Sequence, residues 1–347
     1  MRRIDMQRNE IKENHPVKNI LAIRGVGQIA TVTVGLIVLC LAFAILNPSF
    51  YSGRNIGNLL RQIAPILIIG IGQSYVLITG NIDLSIGSVV GMSCMISATL
   101  MTKGWNPWLS VVATLIICIA TGIGNGLLVA NCKLPPFIAT LGTMTVARGV
   151  AQIVNNNYNT DAIGEAAEGF RTFFYYGKMV GIFNTVWIAV ALFIAFNFLL
   201  SKTRTGRHIY AVGSNVDAAR LSGVNVSATT IKAYVVSAFC AGTVGLVTSA
   251  TAGIGTMDSG NMYEMYAVAA SVIGGVSTLG GQGLLLGTVV GASIWGVLQN
   301  GLQFAGAPVA IRNIVIGIIV IVSVLLDVVL RTGRPKKAAK NTAHIEG

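Results

Sequence analysis

The sequence predicts an all-α, polytopic membrane protein with about ten transmembrane helices, and three observations lead there. Of 347 residues 53% are hydrophobic and only 10% charged, whereas water-soluble domains carry about 25% charged residues. The mean hydropathy is +0.72, and 41 glycines suit close helix packing in lipid. The basic residues gather at the two ends and in one central interval. The net charge of +12 is therefore accounted for by anionic lipid and the positive-inside bias, and implies no nucleic acid.

Residues 1–27 read as a basic N-terminal tail, residues 28–330 as the membrane domain, and residues 331–347 as a basic C-terminal tail. No A-x-A-like site closes the first apolar run, which is expected to stay in the membrane. That run, Ile29 to Leu46, is span one and ends at Asn47-Pro48. Span two is placed at Gln62 to Thr79, span three at Leu84 to Thr102, and span four at Trp108 to Ala130. Each is about long enough to cross ~30 Å of hydrocarbon. Pro135-Pro136 starts span five, Phe137 to Val154, with Arg148 late enough to snorkel to the interface. The polar, aromatic stretch 155–181 is a sizeable external loop. Spans six and seven are Ile182 to Leu200 and Ala233 to Ala252. GGVSTLGGQG divides the next charge-free interval into span eight, near Tyr263 to Ile273, and span nine, Leu284 to Phe304. Span eight is short and could begin among the polar residues before it. Span ten is Ile314 to Leu330.

Ten crossings put both termini and the loop 201–227 on one side. That side carries 17 of the 24 Lys and Arg residues, which makes it cytoplasmic. The loop, SKTRTGRHIYAVGSNVDAARLSGVNV, holds a short helix signal. Asn215 can cap, Asp217 falls in the first turn, Ala218 to Leu221 continue, and Gly223 can end it. A capped helix in a basic loop, with Arg220 beside Asp217, suggests a docking element for a cytoplasmic partner.

Few polar residues inside the apolar runs call for explanation. Asp83 is the one acid in TGNIDLSIGS, flanked by Asn81 and Ser85. It either starts the next helix or lines a translocation path or cation site. The glycines of TGIGNG, with Asn125 among them, lack the Lys-Ser/Thr of a P-loop and read as a helix contact. Tyr263 and Glu264 stand where span eight meets the external interface, as a boundary anchor or a contact with an external partner. Cys40, Cys94, Cys118, Cys132 and Cys240 form no ligand-like cluster, and His15, His208 and His344 are scattered, so no metal site is expected. The sequence contains no HExxH, GxSxG or Walker motif. A chain that crosses a membrane repeatedly without a reaction centre is most simply a transport pathway, energised by a gradient or by another subunit.

Five stretches carry a family pattern in order: GQSYVLITGNIDLSIGSVVG (72–91), PPFIATLGTMTVARG (135–149), TRTGRHIYAVGSNVDAARLSGVNV (203–226), YEMYAVAASVIGGVSTLGGQG (263–283) and GTVVGASIWGVLQNGL (287–302). Over roughly residues 30–330 the chain resembles the permease subunit of bacterial ABC importers for monosaccharides, the ribose, galactose and xylose group. The resemblance implies a second, identical permease chain and a cytoplasmic ATPase with two fused nucleotide-binding halves that holds ATP and Mg. It also implies an extracytoplasmic sugar-binding protein facing the 155–181 loop and the region of Met257 to Glu264, and a place in the bacterial inner membrane. It makes Asn215, Asp217, Ala218, Arg220, Leu221 and Gly223 the coupling element against the ATPase, with no catalysis by this chain. Two departures bear on substrate: Tyr266 stands where the family commonly has an acid, in YELDAIAA, and Gly80-Asn81 replaces its paired glycine. ATP-driven importers of nucleosides, autoinducer-2 or inositol share the pattern, and an ion-coupled secondary carrier is the reading from another class.

Overall fold

The computed structural model describes residues 26–332; the tails expected at 1–27 and 331–347 lie almost wholly outside them. The described residues are helical apart from turns, buried extended stretches and one two-stranded ladder. The long helices are α1 (Val26–Leu46), α2 (Gly53–Ile78), α3 (Ile86–Thr102), α4 (Pro107–Ala130) and α5 (Pro136–Ile153). The 155–181 stretch holds α6 (Glu168–Arg171) and β1 (Lys178–Met179), and β2 (Ile182–Phe183) and α7 (Asn184–Lys202) follow it. The chain continues through α8 (Arg204–Ser214), α9 (Val216–Leu221), α10 (Val226–Ala252), α11 (Tyr263–Ile273), α12 (Leu285–Phe304) and α13 (Val309–Thr332).

Six of these helices are long and apolar enough to cross a bilayer: α1, α2, α4, α7, α10 and α12. The helix α5 has 18 residues but is diluted by Thr140, Thr143, Thr145 and Arg148. Most boundaries fall within a few residues of those expected. The helix α2 starts nine residues early because Ser52 caps it, its hydroxyl accepting from the Asn55 amide. Asn55 then pairs reciprocally with Asn300 of α12, at 2.9 and 3.1 Å, so a polar first turn is tolerated inside protein. The helix α10 starts seven residues early, capped by Asn225 through the Ala228 amide.

The bundle is built around α10, which packs against α2, α3 and α4. Its inward residues are small, including Ser237, Ala238, Cys240, Ala241, Gly242 and Gly245, all buried. Small residues let backbones approach, so packing can hold helices together where lipid offers no hydrophobic drive between them. The TGIGNG segment supplies the matching stripe on α4. A Cβ at Gly122 would lie 2.6 Å from the Tyr234 carbonyl oxygen, and one at Gly126 would lie 2.6 Å from the Ile231 Cα. Gly124 faces open space.

The 155–181 stretch is a folded cap. Thr160 and Ile163 donate their amides to Gly255 and Gly253, and Phe170 and Phe174 are buried with Leu246, Val247 and Ala250 of α10. The Arg61 guanidinium of α2 lies 4.4 Å from the Tyr175 ring and 4.3 Å from that of Phe183. These contacts tie the cap to the outer end of the bundle.

The expected 201–227 loop is mostly helical. Besides the short helix foreseen at Val216–Leu221 it contains α8, whose Gly206, Ile209 and Val212 are buried while Arg204 and Arg207 are exposed. The helix is amphipathic, and its basic face hid its apolar one.

Candidate functional site

Two elements expected to be spans, α3 with 17 residues and α11 with 11, are helices preceded by irregular chain. After Ile78 the backbone turns at Gly80, where φ is +78°, and residues 81–85 run back into the bundle beside α10. Tyr234 Oη donates to the Ile82 carbonyl at 3.1 Å and Ser237 Oγ to Asp83 Oδ2 at 2.7 Å. Ser237 lies 11 residues into α10, or about 16 Å along its axis, so α3 begins deep inside the bundle. Farther on, Ser93 Oγ of α3 donates to the Gly242 carbonyl at 2.7 Å, and Ser97 pairs with Ser249 at 3.1 Å. The second interruption is residues 253–262, ahead of α11. The two starts meet, for a Cβ on Gly87 would overlap both the Gly260 carbonyl and the Glu264 carboxylate. Irregular backbone is tolerated at membrane depth only where protein buries it or where it lines a cavity, and paired broken helices are where transporters place their binding sites.

The first interruption carries the sequence-predicted residues Asn81, Asp83 and Ser85. Asp83, 1% exposed, accepts from the Ser85 amide at 2.9 Å and from Ser85 Oγ at 2.6 Å, while its other oxygen takes Ser237. Asn125 of α4 donates to Ser85 Oγ at 2.9 Å. Asn81 Nδ2 donates to Thr79 Oγ1 at 2.9 Å. Asp83 thus forms an Asx turn immediately before α3, and Ser85 occupies the N-cap position without a side-chain cap bond. The carboxylate sits inside the bundle rather than at a surface turn. Three donors spread over its two oxygens, so both are hydrogen-bonded inside the bundle.

At the second interruption Tyr263 and Glu264 are half-buried, and Glu264 lies against Gly87 at the start of α3. Arg148, expected to snorkel, instead reaches across from α5. Its Nη1 donates to the Met257 carbonyl at 2.7 Å and the Ser259 carbonyl at 3.0 Å. These acceptors lie 109 and 111 residues later in the chain, and a backbone carbonyl leaves no mark in a sequence. The signal that could have found Arg148 was the cost of an arginine within an apolar span.

The remaining predicted residues are gathered on α9, far along the chain from Asp83. Asn215 Oδ1 accepts from the Ala218 amide at 2.9 Å, and Gly223, at φ +80°, lets the Val224 amide return to the Ala219 carbonyl at 3.0 Å. Arg220 pairs with Asp217 at 3.4 Å. Only Ala219 is buried; Leu221 is 89% exposed. A small helix held by its own caps and presenting a bare leucine has the form of a docking knob. Among the described residues no group of three or more His, Cys, Asp or Glu could hold a metal ion.

The family described as branched-chain amino acid transport system / permease component matches residues 55–324. The chain belongs to that family. The match takes in both interruptions and α9 of this permease. It is 37% identical over 293 residues to the ribose import permease protein RbsC of Bacillus subtilis, covering 84% of this chain and 90% of the relative. It is 35% identical to RbsC of Escherichia coli K12, over 85% and 92% of the two chains. It is 34% identical to the galactose/methyl galactoside import permease protein MglC of the same strain, over 84% and 91%. No solved structure matches the permease significantly.

Proposed function

We propose that this chain is the transmembrane permease subunit of an ATP-driven, binding-protein-dependent importer, and that its cargo is a monosaccharide such as ribose or galactose. The observation that carries the reading is identity with ribose and galactoside import permeases over nearly the whole of both chains. The family's description mentions amino acids, and the 34–37% identity to sugar permeases over 84–85% of this chain is the narrower guide. The reading gives ten crossings of the inner membrane, α1 to α5, α7 and α10 to α13, with both termini and residues 201–227 cytoplasmic. A second copy of the chain completes the pathway. ATP and Mg are bound by a separate ATPase with two fused nucleotide-binding halves, which docks on Asn215 to Gly223. An extracytoplasmic sugar-binding protein delivers the cargo to the cap. A recess of about 400 Å³ there, lined by Ile163 and Gly253 as well as Glu165, Glu168, Arg171 and Tyr176, offers that partner a foothold. Asp83 supports a structural role more than ion coupling, because its oxygens are already engaged by serine donors.

The test is uptake into proteoliposomes holding the permease with its ATPase and binding protein, offered labelled pentoses, hexoses, nucleosides and branched-chain amino acids. Uptake of one sugar that requires ATP and both partners is the expected result. Uptake by this chain alone under an ion gradient would overturn the reading.

A further inference from the structure

The docking helix α9 and the interruption at Asp83 are joined by backbone packed against backbone. Asn215 is at once the C-cap of α8 and the N-cap of α9, so the two helices meet at a corner with no slack. Two residues back, Gly213 lies against the end of α2, and a Cβ there would overlap the Ile78 carbonyl and lie 2.6 Å from the Gly281 nitrogen. Gly281 in turn donates its amide to that same Ile78 carbonyl at 2.8 Å. Gly280 closes the far side, where a Cβ would come within 2.8 Å of the Gly213 carbonyl and 2.9 Å of the Gly80 Cα. Tyr210 of α8 donates its hydroxyl to the Gly283 carbonyl at 2.7 Å. Burial pushes the Tyr210 phenol up to about 12, so it remains a donor throughout the neutral range.

Three segments thus converge on the Ile78 carbonyl, and each leads somewhere different. Gly213 leads to the exposed knob. Gly80 is three residues before Asp83 and the start of α3. Gly281 belongs to the turn between α11 and α12, whose base is closed by Gly274 against Gly287. Side chains between packed elements let them slide by changing rotamer, but backbone against backbone leaves no such freedom.

We infer that the contact of Gly213 with Ile78 and Gly281 is the joint that carries displacement of α9 to the interruption at Asp83 and to the turn between α11 and α12. The inference rests on the coupling role proposed for α9. It makes Gly213, Gly281 and Tyr210 positioning residues for transport that touch neither cargo nor nucleotide.

The experiment measures uptake and ATP hydrolysis in the same proteoliposomes, with the complete complex assembled on wild-type permease, Gly213→Ala, Tyr210→Phe and Gly142→Ala. Gly142 in α5 faces open space and serves as control. The expected result is cargo imported per ATP falling by at least about fivefold in Gly213→Ala, the lower end of coupling between sites. Tyr210→Phe falls by about twofold to fivefold, as for one lost hydrogen bond, and Gly142→Ala matches wild type. A purely structural defect would lower the amount of complex and reduce uptake and hydrolysis together, leaving their ratio unchanged. An unchanged ratio in Gly213→Ala overturns the joint while leaving the importer standing. Should that variant fail to assemble, Tyr210→Phe decides alone, and a wild-type ratio there overturns the joint. Absence of ATP-driven uptake by the wild-type complex overturns the coupling role and the joint with it.

Discussion

Alanine placed at three glycines within little more than one turn of α4 should change stability in opposite directions. At Gly124 a new Cβ meets nothing within 4 Å, so the substitution keeps only the helix-propensity gain of Ala over Gly, about 1 kcal/mol. At Gly122 the Cβ would stand 2.6 Å from the Tyr234 carbonyl oxygen and 2.7 Å from the Ala238 Cβ; at Gly126 it would stand 2.6 Å from the Ile231 Cα and 2.9 Å from its Cγ1. Neither set of neighbours can turn aside by changing rotamer, so the helices must separate. Overpacking of this kind costs about 1–3 kcal/mol, and the upper half of that range applies where backbone is struck. After the propensity gain, Gly122→Ala and Gly126→Ala should each lose about 1–2 kcal/mol while Gly124→Ala gains up to about 1 kcal/mol. Thermal unfolding of the purified protein in one detergent, followed by dye binding to exposed cysteines, gives the order directly. Buried Cys118 and Cys240, on α4 and α10, report the separation of these two helices. Equal midpoints for Gly122→Ala and Gly124→Ala would refute the account of α10 as the close-packed axis.

Three further substitutions probe the interruptions and the knob. Asp83→Ala leaves the Ser85 amide and two buried hydroxyls short of their acceptor and should cost about 1–3 kcal/mol, whereas Asp83→Asn keeps an acceptor and should cost less; normal abundance of Asp83→Asn with no transport would instead assign the charge to the pathway. Arg148→Ala frees the carbonyls of Met257 and Ser259, so cysteines introduced at residues 257–259 should label faster with a water-soluble maleimide, and an unchanged rate would count against the clamp. Leu221→Glu and Gly223→Leu should leave thermal stability of the isolated permease within about 1–2 kcal/mol, the cost of a left-handed non-glycine at 223 being the larger. Both should weaken capture of the purified ATPase, and wild-type capture would remove α9 from the interface.

Much of this architecture was legible because hydropathy and caps are local properties. Asn47-Pro48, Asn215 and Gly223 each act through neighbours a few residues away, and the elements they bound appear where the sequence puts them. The glycine stripe of α4 was readable as a helix contact because glycine in an apolar helix has few other uses. What escaped was set by distant partners. Arg148 resembles a snorkelling side chain until the fold brings residues 257–259 beneath it, and nothing local to Glu264 announces that Gly87 packs against it. The helix α8 was hidden by composition: its apolar residues Ile209 and Val212 are outnumbered by basic and polar ones, and their burial depends on α2 and α10. Asp83 stood out as the one acid in its stretch, but its partner Ser237 lies 154 residues away, in a span where nothing distinguished one serine from another.

That separation also fixes an order of events during synthesis. At translation rates of about 5–20 residues per second, the carboxylate of Asp83 is made roughly 10–30 s before the hydroxyl that completes its shell. Throughout that interval α3 has an irregular, polar entrance and no α10 to cover it, so it cannot settle at its final depth. The first half of the chain is therefore an incomplete object that waits for the second, and a nascent chain halted near residue 200 should remain open to membrane proteases until α10 emerges.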